Sequence, residues 1–205
     1  MSKKILFLGA LFAATSMSAQ SLEFGLKGGL NFSNESGNTV VKNYIGSDDH
    51  KMKTGFHVGA VANYRINPKF ALEADLLYSM QGYKDKMTVE AEQIINNENF
   101  TVTSHYLTLP IAAKFYPVDN FYVECGPQVG YLLSKKGKLD NWDNDNPFTS
   151  DVNKKFDFGI LGGLGYEFDN GFLVEARYVH GLTGTMKDID GHKNRNVQIS
   201  VGYLF

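Results

Sequence analysis

Eight stretches of this sequence alternate between an apolar and a polar series, and between the first and last apolar residue of each no Asp, Glu, Lys or Arg interrupts the apolar series. A period of two is the mark of a β-strand, whose successive side chains point to opposite faces. The stretches are 22–33, 54–65, 69–83, 102–116, 121–134, 154–168, 172–183 and 196–205. In the third, Phe70, Leu72, Ala74, Leu76, Tyr78 and Met80 oppose Glu73, Asp75, Ser79 and Gln81. In the seventh, Phe172, Val174, Ala176 and Tyr178 oppose Glu175 and Arg177. Slipping the phase by one residue would place charge on the apolar face in seven of the eight. Segregation this clean implies an environment that penalises a single misplaced charge. A Lys or Arg facing lipid at mid-bilayer costs roughly 2–4 kcal/mol. The expected fold is all-β: an eight-stranded antiparallel up-and-down transmembrane β-barrel, with its apolar face toward lipid and its polar face toward the lumen.

The connections fit that architecture better than a soluble β-sandwich. Three are short: Asn67-Pro68, 117–120 and Asp169-Asn170-Gly171, the last with an Asn-Gly pair suited to the positive φ of a tight hairpin. Four are long and polar, at 34–53, 84–101, 135–153 and 184–195. Short turns on one side and long loops on the other match periplasmic turns and extracellular loops. Aromatic residues gather at both strand ends. Tyr64, Phe70, Phe115, Phe121, Phe168, Phe172 and Phe205 lie beside the turns; Phe32, Phe56, Tyr78, Tyr131, Phe156 and Tyr178 lie toward the loops. Two such belts match the girdles at the two membrane interfaces.

The polar face collects Glu23, Lys27, Arg65, Glu73, Asp75, Lys114, Glu124, Asp157, Glu167, Glu175 and Arg177. An eight-stranded barrel is just wide enough for side chains to fill it. Unpaired buried charge is costly, so these groups are expected to pair across strands as a lumen charge network. A polar path or proton relay is the functional alternative to this structural core.

The N-terminus sets the compartment. Lys3 and Lys4 precede ten apolar residues, 5–14, and then the small residues Thr15, Ser16, Ser18 and Ala19. This reads as a secretory signal peptide over 1–19, with the barrel domain over 20–205. The apolar run is short of the ~20 residues a transmembrane helix needs. The net charge of −2 argues against a nucleic-acid partner. Cys125 is the single cysteine, so no intramolecular disulfide can form. With 21 glycines and 26 Phe plus Tyr residues, the composition suits many strands bounded by turns.

No catalytic, cofactor or metal motif emerges. His50, His57, His105, His180 and His192 show no close metal spacing. Ser104 and His105 are adjacent, but no acidic partner completes a triad. The Asp- and Asn-rich run 140–146 offers oxygen ligands without the regular spacing of a calcium loop. Asp188 and Asp190 read the same way, as solvated loop residues.

Several runs resemble a known family. These are Phe24-Gly25-Leu26-Lys27-Gly28-Gly29-Leu30-Asn31-Phe32-Ser33, Thr54-Gly55-Phe56-His57-Val58-Gly59, Tyr106-Leu107-Thr108-Leu109-Pro110-Ile111, Gly126-Pro127 and the terminal Val201-Gly202-Tyr203-Leu204-Phe205. Together they resemble the small porin-family, PorT-like outer-membrane β-barrel proteins across nearly all of the mature chain. The resemblance implies an outer-membrane location and outer-membrane lipid around the barrel. It also implies that Val201, Tyr203 and Phe205 form the C-terminal signal read by the barrel-insertion machinery. It carries over no catalytic residue. The expected function is a structural, surface-interaction or envelope role without catalysis, with a surface or periplasmic protein partner conceivable. A narrow pore for small solutes and an accessory part in protein secretion are the alternatives.

Overall fold

The computed structural model describes residues 22–36, 51–91, 94–139, 148–149, 155–183 and 193–205. The expected signal peptide and the Asp- and Asn-rich run 140–146 lie outside the described residues. In chain order the strands are β1 (Leu22–Ser36), β2 (Lys51–Asn67), β3 (Phe70–Ala91), β4 (Ile94–Val118), β5 (Phe121–Leu139), β6 (Phe148–Thr149), β7 (Phe156–Glu167), β8 (Phe172–Gly181) and β9 (Lys193–Leu204). Every pairing is antiparallel. The order runs β4-β3-β2-β1-β9-β8-β7-β5, and β5 returns to β4. The sheet is therefore a closed eight-stranded barrel, which satisfies the backbone of every wall strand on both sides, as a bilayer requires. The two-residue β6 pairs with the far end of β5, outside this wall.

The short turns hold as the local sequence dictates. Asn67 Oδ1 accepts from the amides of Lys69 and Phe70 at 2.9 and 3.0 Å, the Asx geometry that turns β2 into β3. Asn120 and Gly171 take positive φ, 68° and 87°, in the other two turns. The long connections are shorter than the sequence reading places them. The expected loop over 84–101 is a strand pair: β3 and β4 continue past the barrel as a hairpin, Lys84 against Thr101 out to Ala91 against Ile94. Likewise β5 runs on through 135–139, and β9 starts at Lys193 instead of Asn196. Backbone pairing in these segments needs no apolar face, because above the bilayer no face meets lipid.

Burial is inverted relative to a soluble protein. Leu26, Val58, Leu76, Ile160, Leu164 and Val201 are each more than half exposed on the outer wall, while Lys27, Glu73 and Arg177 are almost wholly buried in the lumen. Left in water, each such aliphatic side chain would forgo about 1.5–3 kcal/mol of burial. The belts are paired rings across neighbouring strands. Phe70 meets Phe115 and Phe172 meets Tyr203 near the turns, at centroid distances of 5.1 and 5.0 Å. At the far end Phe56 meets Tyr78 and Tyr131 meets Phe156, at 5.9 and 5.3 Å. From belt to belt, Phe24 to Phe32, Phe56 to Tyr64 and Phe70 to Tyr78 each span nine residues. A tilted membrane strand needs about 9–11.

Candidate functional site

The candidate site is the lumen, which is built in layers. Nearest the turns, Glu167 accepts from Lys114 Nζ at 2.9 Å, Tyr116 Oη at 2.8 Å and Arg65 at 2.7 Å. Above it, Lys27 donates to Glu73, Glu175 and Asp75 at 2.5, 3.0 and 3.2 Å. Arg177 donates to Glu124 at 2.6 Å, Asp75 at 2.9 Å, Glu175 at 3.0 Å and Glu73 at 3.2 Å. Lys114 also pairs with Glu73, at 2.5 Å, and lies over the Tyr122 ring. Nine of the eleven charged residues assigned to the lumen from the sequence thus meet in one connected cluster contributed by β1, β2, β3, β4, β5, β7 and β8. Glu23 stands apart: it is exposed at the turn end and accepts from Asn63 at 3.2 Å. Asp157 is also separate, near the loop end, accepting from Thr183 at 2.6 Å.

Glycines make these cross-links possible. Arg177 on β8 and Glu124 on β5 both face Gly163 on the intervening β7. Gly165 stands likewise between Tyr122 and Glu175, and Tyr122 Oη donates to Glu175 at 3.0 Å. A Cβ at Gly163 would lie 2.7 Å from Glu124 Oε1, and one at Gly165 would lie 2.4 Å from the Tyr122 ring. The missing side chain on the middle strand lets partners two strands apart touch.

The same device builds a layer that sequence reading did not assemble. His57 on β2 and Ser200 on β9 flank Gly29 on β1. His57 Nε2 lies 2.9 Å from Ser200 Oγ, and Nδ1 lies 2.9 Å from Asn31 Oδ1. The connectivity is that of a nucleophile, a base and an orienting group. Its surroundings differ from those of a catalytic site. All three residues are at most 2% exposed, and Asn31 Oδ1 also accepts from Gln198 and Asn196. Only the register of β2, β1 and β9 brings these residues together, so no local motif could have announced them. Ser104 and His105, adjacent in sequence, point apart: Ser104 is buried inside, while His105 bonds Tyr78 Oη at 2.6 Å.

Carboxylate oxygens of Glu73, Glu124 and Glu175 lie within 4.8 Å of one another. Lys27 and Arg177 neutralise that trio from inside the cluster, as a divalent ion would. Small apolar clusters are buried beside these polar layers: Val61, Leu173 and Leu204 in one place, Ala112, Leu161 and Val179 in another. Toward the loops, a recess of water-molecule size sits between Gln81, Gln128, Asp157 and Asn194.

A closed barrel of eight antiparallel strands with lipid-facing aliphatics, aromatic belts and an ionic core defines the class of outer-membrane β-barrels. The chain belongs to the outer membrane protein beta-barrel domain family, whose model matches residues 18–187. Its place is the outer membrane. No curated protein matches the sequence. Among solved structures it is similar to Ail, the attachment invasion locus protein of Yersinia pestis, crystallised with the heparin analogue sucrose octasulfate. That match has a TM-score of 0.50 and 15% identity over 90% of this chain and 99% of Ail. It is also similar to Neisserial surface protein A, with a TM-score of 0.51 and 16% identity over 89% and 97% of the two chains. At such identities the likeness concerns the fold.

Proposed function

We propose that this protein is a non-catalytic envelope barrel that anchors long polar connections at the cell surface for structural or contact roles. The observation that supports this reading is the filled lumen. Lys27, Lys114 and Arg177 and their carboxylates occupy its middle, with their side chains at most 1% exposed for the three cations. Moving an ion through would mean separating these pairs, and an unpaired buried charge costs about 3–5 kcal/mol. Transport through a narrow pore is the competing reading. Reconstitution of the mature protein in planar bilayers decides between them: no steady conductance is expected, and reproducible single-channel current would overturn the proposal. The same reading takes 1–19 as a leader removed on export and Val201, Tyr203 and Phe205 as the segment recognised during barrel insertion. All three of those residues lie on the outer wall and are exposed, so they are available to an insertion machine before lipid covers them.

A further inference from the structure

At the loop end of the barrel, four lysines converge on one stretch of wall. Lys53 on β2 extends past Gly82 on β3, whose would-be Cβ lies 3.0 Å from Lys53 Cδ, and its ammonium hydrogen-bonds Thr103 Oγ1 on β4. Thr103 is in register with Gly82 on one side and with Lys136 of β5 on the other. One row farther out, Thr101 stands between Lys84 and Lys138. Directly opposed residues on one sheet face sit about 4.5–5.5 Å apart at Cβ, so Lys84, Lys136 and Lys138 flank the two threonines, and Lys53 joins them through its hydrogen bond to Thr103. Among the described residues no carboxylate pairs with Lys53, Lys84, Lys136 or Lys138. Lys53 is only 8% exposed. Burial, and then the charge of Lys84, push its ammonium down to about 8.

Cations gathered with no paired carboxylate among the described residues repel one another, and an anion placed among them reverses the sign of that energy. The depth of the cluster narrows the anion's identity. Going outward along β4, Leu107 faces lipid, His105 joins Tyr78 in the belt, and Thr103 comes next. An aromatic belt marks the headgroup level of a bilayer. We propose that Lys53, Lys84 and Lys136, with the Thr103 hydroxyl, form a binding site for the phosphate of an anionic lipid headgroup in the outer leaflet. The ammonium groups supply charge and the hydroxyl supplies a hydrogen bond, the chemistry by which phosphate is held elsewhere. The inference rests on the bilayer placement and not on whether the lumen conducts.

The test uses the full mature chain folded in neutral detergent, with phosphatidic acid as the phosphomonoester probe and phosphatidylcholine as the neutral comparison, read by native mass spectrometry. Phosphatidic acid is expected to bind in preference to phosphatidylcholine. The Lys53→Gln, Lys136→Gln double variant is expected to lose about tenfold in apparent affinity, whereas Lys69→Gln at the opposite rim changes nothing. Lys136 is exposed, so Lys136→Gln alone keeps the fold and is expected to lose about threefold. Heat-modifiable electrophoretic mobility verifies folding of each variant. Equal phosphatidic acid binding by wild type and both Lys136 variants would overturn the site. Displacement of the lipid by inorganic phosphate at equal concentration would overturn its assignment to a lipid.

Discussion

Arg177 touches four carboxylates while 1% of its side chain is exposed, and Arg65 touches one while 34% is exposed. That contrast sets the scale of each residue's contribution. Replacing Arg177 with Met leaves Glu124 buried without its cation and Asp75 with Lys27 alone, and is expected to destabilise the barrel by about 3–5 kcal/mol in urea unfolding from lipid vesicles. Arg65→Met, partly solvated, is expected to cost less than about 1 kcal/mol. The glycines divide in the same way. A Cβ at Gly165 would meet the Tyr122 ring at 2.4 Å, whereas one at Gly162, on the lipid face, would find its nearest neighbour at 3.8 Å. Gly165→Ala is therefore expected to impair folding, seen as loss of the heat-modifiable band, while Gly162→Ala stays within about 0.5 kcal/mol of wild type. The sequence marks these glycines as abundant but not as bridges. Their role depends on which residues flank them on the neighbouring strands, and that is set by register. For the same reason the polar series already held Lys27, Glu73 and Arg177 as inward groups, yet the order of pairing and the His57–Asn31–Ser200 layer needed the fold.

At the level of elements, the strands were legible wherever the bilayer imposes a pattern. From Phe70 to Met80 the alternation specifies both the strand and its facing. Beyond Tyr83 the pattern dissolves into Lys, Asp, Glu and Asn, and 84–101 reads as loop although β3 and β4 remain paired there. In that region both faces of the hairpin leave the membrane, and no apolar series is required of a two-stranded ribbon held by its own hydrogen bonds. The barrel should then be indifferent to its removal. Replacing 86–99 with a two-residue Asn-Gly turn, which suits the hairpin closing at Asp85 and Phe100, is expected to shift unfolding in vesicles by no more than about 0.5 kcal/mol.

For the whole molecule, the organising fact is the reversal of inside and outside. The greatest density of buried charge lies at the centre of the wall's interior, and the aliphatic residues cover its exterior. Closure through β4–β5 and β1–β9 removes every edge from the span, so the wall can sit in hydrocarbon while the ionic cluster fixes its diameter from within. Cys125 offers a direct probe of this arrangement without any substitution. It is the chain's single cysteine, exposed on β5 midway between the belts, opposite Ala113 on one side and Gly162 on the other. A nitroxide attached there, in protein reconstituted into phosphatidylcholine vesicles, reports its surroundings through collision with paramagnetic relaxants. The expected result is strong relaxation by oxygen, which concentrates in hydrocarbon, and little by a water-soluble nickel chelate. Strong relaxation by the nickel chelate, or a label immobile and closed to both, would contradict a barrel whose apolar side meets lipid.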